Sequence, residues 1–386
     1  MKSNYRYIVK AFMAMAVIAG TTSCDDFLDR EPMSSISPET YYSTAAQLEA
    51  NLNDEYPNVL PSFGQWTYGI FGEDKGTDNQ IEVNANDRYT QDRWKVPHSE
   101  SDNWKFERIY RINFFLSEAL PKFGEDMSGS QNTISGSVAT IKHYIGEMYF
   151  LRAYEYFKKL QLFGDFPIIN QPLADEMEAL REASKRFPRN EVARFIISDL
   201  DKAYAYMSDV DMATTRINKD AAMLVKSRVA LFEATWLQNF KGTAFVPGGE
   251  GWPGASLHNN YQYPSGNIDN EVKYFLEQAV EASKLVADKY KGSLTENTGV
   301  LQQSADDPSN PYFDMFAQED LSDVKEVLLW RQYARGLSTH NINAAAGRGN
   351  YRIGLTRGFV QNFLMKDGTP VYAHGSYADG DGYYMG

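Results

Sequence analysis

Along most of this chain apolar side chains recur at the spacing of one helix face, and the pattern lapses in two long stretches. The clearest run is 137–163. There Val138, Ile141, Ile145, Met148, Arg152 and Tyr156 share a stripe, flanked by Tyr149, Ala153, Phe157 and Leu160, and Gly164 followed by Pro167 marks the stop. A helix is predicted over 39–56, opened by Ser37-Pro38-Glu39 and stopped before Pro57. Another spans 102–120, with Ile109, Ile112, Phe115, Leu116 and Leu120 on one face and Pro121 following. Three more cover 190–208, capped by Asn190, 219–239 after Asn218, and 270–290, closed by Gly292. Small residues at Ala153, Ala203, Ala221, Ala230 and Ala282 suit close approach between successive helices. The expected fold is mostly α: tetratricopeptide-like hairpins, 137–163 with 190–208 and 219–239 with 270–290, carrying long irregular loop insertions and lacking the repeat's strict period of about 34 residues.

The two aperiodic stretches are where function is expected, because long loops in a compact chain are usually functional. Residues 57–100 hold Pro57, Pro61 and Pro97, four glycines, and Trp66, Tyr68, Phe71, Tyr89 and Trp94 beside Asp74, Asp78, Asn79, Asn84 and Asn86. Residues 240–267 are rich in Gly and Pro and carry Phe245, Trp252, His258, Tyr261 and Tyr263. Beyond 292 the pattern loosens. "KEVLLWRQY" (325–333) suits a strand or short helix, and 334–386, rich in Gly, Asn and Tyr, stops at "GDGYYMG" without a closing element, so a C-terminal portion is expected to be missing.

The N-terminus explains the chain's single cysteine, Cys24. Lys2, Arg6 and Lys10 precede an apolar run, "AFMAMAVIAG" (11–20), too short to span a bilayer, and Thr21, Thr22 and Ser23 lead into Cys24. That is the layout of a bacterial lipoprotein signal, although Thr21 replaces the usual larger aliphatic residue. The expected organisation is a signal peptide over 1–23, a lipidated tether over 24–37 and one helical domain over 38–386, attached to the membrane through lipid alone. A lone cysteine forms no internal disulfide and offers no zinc spacing.

A net charge of −13 without a Lys/Arg-rich run argues against a nucleic-acid partner. The five histidines, at 98, 143, 258, 340 and 374, form no ligand spacing, and "HGSYADGDGYY" lacks the later ligands of a calcium loop, so no metal and no cofactor are expected. No GxSxG, GxGxxG or Walker pattern occurs. Acid pairs such as Glu73/Asp74 and Glu319/Asp320 leave glycoside hydrolysis open, since spacing along a chain says little about two carboxyls facing across a cleft. The positive signal is aromatic, amide-rich loops on a helical frame. A sugar ring stacks its C–H face on Trp or Tyr, and its hydroxyls take Asp, Asn and Arg.

These residues resemble a known family. Cys24-Asp-Asp-Phe-Leu-Asp with Pro32 is similar to the mature start of SusD/RagB-family outer-membrane lipoproteins. The resemblance continues through "DNWKFERIYRINFFL" (102–116), "GEMYFLRAYEYFKKLQLFGDFPII" (146–169), "RNEVARFIISDLDKAY" (189–204) and "INKDAAMLVKSRVALFEA" (217–234). It ends in "NPYFDMF" (310–316) and "FLMKDGTP" (363–370). The resemblance implies a helical, non-catalytic, surface-exposed outer-membrane lipoprotein of a Gram-negative bacterium, which binds glycans and passes them to a SusC-like TonB-dependent transporter. Asp25 and Asp26 resemble the surface-export signal of such proteins. Family ligand sites vary, and members usually continue past the last block. The loop carrying Asp78 and the region around Trp330 align with blocks near the family's glycan site. The candidate glycan-binding residues are therefore Trp66, Tyr68, Asp78, Asn79, Trp94 and Trp330, with Arg331, Trp252 and Tyr263 behind them. Aromatics would stack, and Asp78, Asn79 and Arg331 would bond hydroxyls. Two other readings remain: a helical-repeat scaffold that binds only protein, and a secreted glycosidase.

Overall fold

The computed structural model describes residues 41–64, 74–81, 103–208, 212–300, 304, 306–334, 339–340 and 354–373. Among them the protein is mostly helical, with one two-stranded sheet. Helix α1 (Ala45–Val59) opens on a capping box: the Gln47 N–H donates to Thr44 Oγ1 at 3.3 Å, and Gln47 Oε1 accepts from the Thr44 N–H at 3.1 Å. Helix α2 is Glu107–Phe123. Both run through the prolines expected to end them, Pro57 and Pro121. In each, the residue two positions further on, Val59 or Phe123, is fully buried. Burial of such a side chain is worth about 1.5–3 kcal/mol, enough to offset much of what a missing N–H in the last turn costs.

Helix α3 (Val138–Phe163), capped by Ser137 and ended at Gly164, is buried on nearly every side, with α1, α2 and α5 packed around it. A short helix α4 (Met177–Ala183) buries no residue. Next come α5 (Arg189–Tyr206), α6 (Lys219–Asn239) and α7 (Ile268–Tyr290), with Asn218 and Asn267 capping the last two. Asn190 caps nothing. It lies inside α5, and its amide reaches Glu271 and Tyr261 at 3.0 and 2.9 Å.

The expected pairs form. A Cβ added at Gly146, early in α3, would meet the backbone N of Met207 at 2.9 Å, while Asp165, past the end of α3, accepts from the N–H of Arg189 at the start of α5. These two helices are thus antiparallel. So are α6 and α7, because Lys289 Nζ reaches Asp220 and Lys241 Nζ reaches Asp269.

Buried ion pairs cross the helix contacts. Arg152 grips Asp199 through Nε and Nη2 at 2.7 and 2.9 Å, Arg189 forks onto Glu233, and Arg194 onto Glu271. Arg152 therefore belongs to the inward stripe as an ion-pair partner between α3 and α5.

No helix among the described residues is long and apolar enough to cross a membrane. After residue 292 the core thins: only Asn310 and Met315 are buried among the described residues there. Residues 325–333 turn at 325–326 and otherwise run without regular structure, neither the strand nor the helix expected. The sheet pairs β1 (Gln80–Ile81) with β2 (Gly354–Leu355), antiparallel, with Gln80 opposite Leu355. Short helices α8 (Pro311–Met315) and α9 (Arg357–Gln361) complete this part.

Candidate functional site

The loop 240–267 lies over the end of the bundle where α3 stops and α5 begins. Trp252 is only 5% exposed, and its indole N–H donates to Asp165 Oδ2 at 2.7 Å. Burial raises the Asp165 carboxyl above its ordinary range, against the opposing hydrogen bonds from Trp252 and the Arg189 N–H. Arg189 in turn lies 4.1 Å from the Trp236 ring centre while forking onto Glu233. Tyr261 and Asn190 bond each other, and the Tyr263 hydroxyl donates to the Pro247 carbonyl at 2.7 Å. Burial pushes the Tyr263 hydroxyl well above the usual phenol range. The rings of Trp252, His258, Tyr261 and Tyr263 touch in sequence, with centres 5.2–6.4 Å apart. Of the predicted site residues on this loop, Trp252 is thus closed into the interior and Tyr263 is half-buried with its hydroxyl engaged.

The second group gathers at the other end of α6. Trp330 is half-buried, its indole N–H donating to Thr214 Oγ1 at 2.8 Å and its backbone N–H to the Thr214 carbonyl at 3.1 Å. Asn218, the α6 cap, donates to the Leu328 carbonyl at 2.6 Å and so holds the same strip. Arg331 is exposed, its guanidinium 5.7 Å from the Tyr333 ring. The Tyr333 hydroxyl accepts from the Phe63 N–H at 3.2 Å, tying this strip to the start of the 57–100 stretch. Sequence reasoning left out Tyr333, although it stands three residues from Trp330 in the same quoted run.

Asp78 is exposed and Asn79 half-buried. Thr356 holds both through their backbones: its N–H donates to the Asn79 carbonyl at 2.9 Å and its hydroxyl to the Asp78 carbonyl. The Asp78 carboxylate makes no hydrogen bond among the described residues, so it is available to a ligand. Trp330 and Arg331 therefore come together with Tyr333, and Asp78 with Asn79. No described hydrogen bond or ring contact joins the two groups. Trp66, Tyr68, Trp94 and Cys24 lie outside the described residues.

These positions offer a half-open indole, a phenol, a guanidinium, an amide and a carboxylate, the donors, acceptors and faces a polyhydroxylated ring uses. The acid pair Glu319/Asp320 sits exposed on a turn, where hydrogen bonds from the Ser322 hydroxyl and N–H hold the Asp320 carboxyl below its ordinary range. A general acid needs the opposite shift.

A family model named SusD-like and described as "Starch-binding associating with outer membrane" matches residues 26–231. Two SusD-like proteins of Formosa agariphila are each 25% identical to this chain, over 233 and 253 residues. Those matches cover 55% and 62% of this chain and 41% and 46% of the relatives, so the chain spans less than half their length. A SusD-like protein from Bacteroides fragilis superposes with a TM-score of 0.55 at 19% identity, covering 89% of this chain and 57% of that one. A SusD-like carbohydrate binding protein from the same organism gives 0.50 at 15%, covering 88% and 57%. At such identities the two structures establish the fold.

Proposed function

This chain belongs to the SusD-like family of outer-membrane-associated proteins, and on that premise we propose that it captures oligo- or polysaccharide at the cell surface, without catalysis, and delivers it to a SusC-like TonB-dependent transporter. The observation that carries this reading is the family match over residues 26–231, which takes in α1 to α5 and more than half of α6. The Trp330–Arg331–Tyr333 strip and the Asp78–Asn79 turn are consistent with it, because they present stacking and hydroxyl-bonding groups outside the buried core. Trp66, Tyr68 and Trp94 join the proposed site on the strength of their sequence neighbourhood, and Tyr263 stands at its margin. The burial of Trp252 favours a loop-holding part for that residue.

Residues 1–23 serve as the signal peptide and Cys24 as the lipidated residue, with 24–37 the tether and 38–386 the helical domain. Cys24→Ser then abolishes fatty-acid labelling, and a label that persists in the variant removes the anchor from this account. For the binding function the test is a glycan-array screen of residues 25–386, with folding checked by circular dichroism. Binding to one glycan class without release of reducing ends supports the receptor. Reducing-end release replaces it with a hydrolase, and silence from a folded protein replaces it with a protein-binding scaffold.

A further inference from the structure

We propose that the cleft between α5 and α7 is a second sugar site, separate from the Trp330 and Asp78 groups, and that it takes an acidic sugar unit through its carboxylate. This inference rests on the glycan-binding reading for its ligand class. The cleft has a volume of about 370 Å³ and is lined by a stripe of α5 running Arg194, Ser198, Lys202 and Tyr206, together with Asp201, and by Tyr274 from α7. Residues four apart on a helix stand about 6 Å apart along its axis, so the stripe is about 18 Å long, room for a short oligosaccharide laid along the helix.

The charges in the cleft do not cancel. Arg194 uses Nε and Nη2 on Glu271 and Ser265, and its Nη1 group makes no hydrogen bond among the described residues. Lys202, 41% exposed, lies 3.8 Å from Asp199, but both oxygens of Asp199 are already held by Arg152 at 2.7 and 2.9 Å. Asp201 is likewise matched, by Lys226 Nζ at 2.7 Å. Lys202 also lies 5.2 Å from the Tyr149 ring centre, and it shares the single Asp199 carboxylate with Arg152, so one positive charge stays in excess at the mouth, on a chain of net charge −13. Such a point attracts an anionic ligand that the rest of the surface repels.

Unengaged hydroxyls surround it. Those of Ser198, Tyr206 and Tyr274 make no hydrogen bond among the described residues, and all three side chains line the cleft. The Tyr274 ring is held by the Arg194 guanidinium 3.7 Å from its centre, and Tyr206 packs edge-on to Tyr149. Both phenols are thus positioned before a ligand arrives, which lowers the ordering cost of binding. A carboxylate between Lys202 Nζ and the Ser198 hydroxyl receives a charge-assisted bond, and the phenols serve the ring hydroxyls.

Isothermal titration of residues 25–386 with an oligogalacturonate and with its fully methyl-esterified form tests this. The acid form is expected to bind at least about tenfold more tightly than the ester, as the loss of one charge-assisted contact implies. Lys202→Glu and the milder Lys202→Gln should each weaken the acid form about tenfold or more. Equal affinity for the two forms, or undiminished binding of the acid form by folded Lys202→Gln, overturns the proposal. Binding of neutral polysaccharides with no binding of oligogalacturonate overturns it while sparing the glycan-binding function. Failure to bind any glycan overturns both.

Discussion

The loop 240–267 and the strip 328–333 are both rich in large side chains outside the helices, yet they have opposite fates. In the loop, Trp252 and Tyr261 close onto Asp165 and Asn190, Tyr263 bonds the Pro247 carbonyl within the loop, and beneath them lie the Arg189–Glu233 and Arg194–Glu271 pairs. Gly249 is committed as well: a Cβ there would stand 1.9 Å from the Thr243 carbonyl oxygen. The strip is held at Thr214, Asn218 and Phe63, and leaves Arg331 exposed. Aromatic content in a long loop is therefore a poor guide to binding by itself. What separates the two is whether a buried carboxylate or amide lies beneath the ring and must be satisfied.

The sharpest way to break this contrast is Glu233→Ala. It leaves Arg189 buried without its partner and should cost about 3–5 kcal/mol in urea unfolding. A loss under about 1 kcal/mol would show that the network is not what holds this end together. Trp252→Ala comes next, at about 3 kcal/mol, because it opens a cavity and strips Asp165 of a donor. If it weakened glycan binding with stability unchanged, Trp252 would move from loop-holding to the ligand.

Glu271 supplies a test in pH. Burial alone would raise its carboxyl, but hydrogen bonds from Arg194, Asn190 and Ser265 outweigh that and hold it below the ordinary value of 4.5. The folded state then binds this proton less readily than the unfolded chain. The stabilisation is complete above 4.5 and is lost as pH falls through the lowered value. Glu271→Gln should cost about 1–3 kcal/mol at neutral pH, and the gap to wild type should narrow on acidification. A gap that stays constant with pH would contradict this. The difference measurement isolates Glu271 from Asp165 and Glu233, which burial pushes upward and which bring the opposite slope.

On the other side, Trp330→Ala should cost about 1 kcal/mol of stability but about tenfold in affinity for the glycan found by array. The smallest structural effect is expected for Asp78→Ala, within about 0.5 kcal/mol, since its carboxylate holds nothing else in place. A large stability loss there would make Asp78 a packing residue.

Much of the helical frame was legible before any coordinates. Gly164 announced the end of α3 and Asn218 the start of α6, and the stripe on 137–163 points inward from Ile141 onward as expected, whereas Val138 is exposed. Asn190 misled because a cap and a buried amide look alike in a sequence. Pro57 and Pro121 misled because burial of Val59 and Phe123 carries each helix one turn further. The candidate site was less legible. Trp330 and Arg331 were proposed from their neighbourhood, but the anchors of their strip, Thr214 and Phe63, are distant in sequence. The α5 stripe Arg194-Ser198-Lys202-Tyr206 carried a visible period, yet nothing local distinguished a cleft wall from a solvated face.

Local chemistry, then, determined where helices begin, which faces turn inward and which family the blocks resemble, because caps and periods act over a few residues. Tertiary structure alone decided which carboxylate each arginine satisfies and which aromatic rings are closed off. Those outcomes depend on which desolvated groups meet across helices far apart in the chain, and that pairing leaves no local signature.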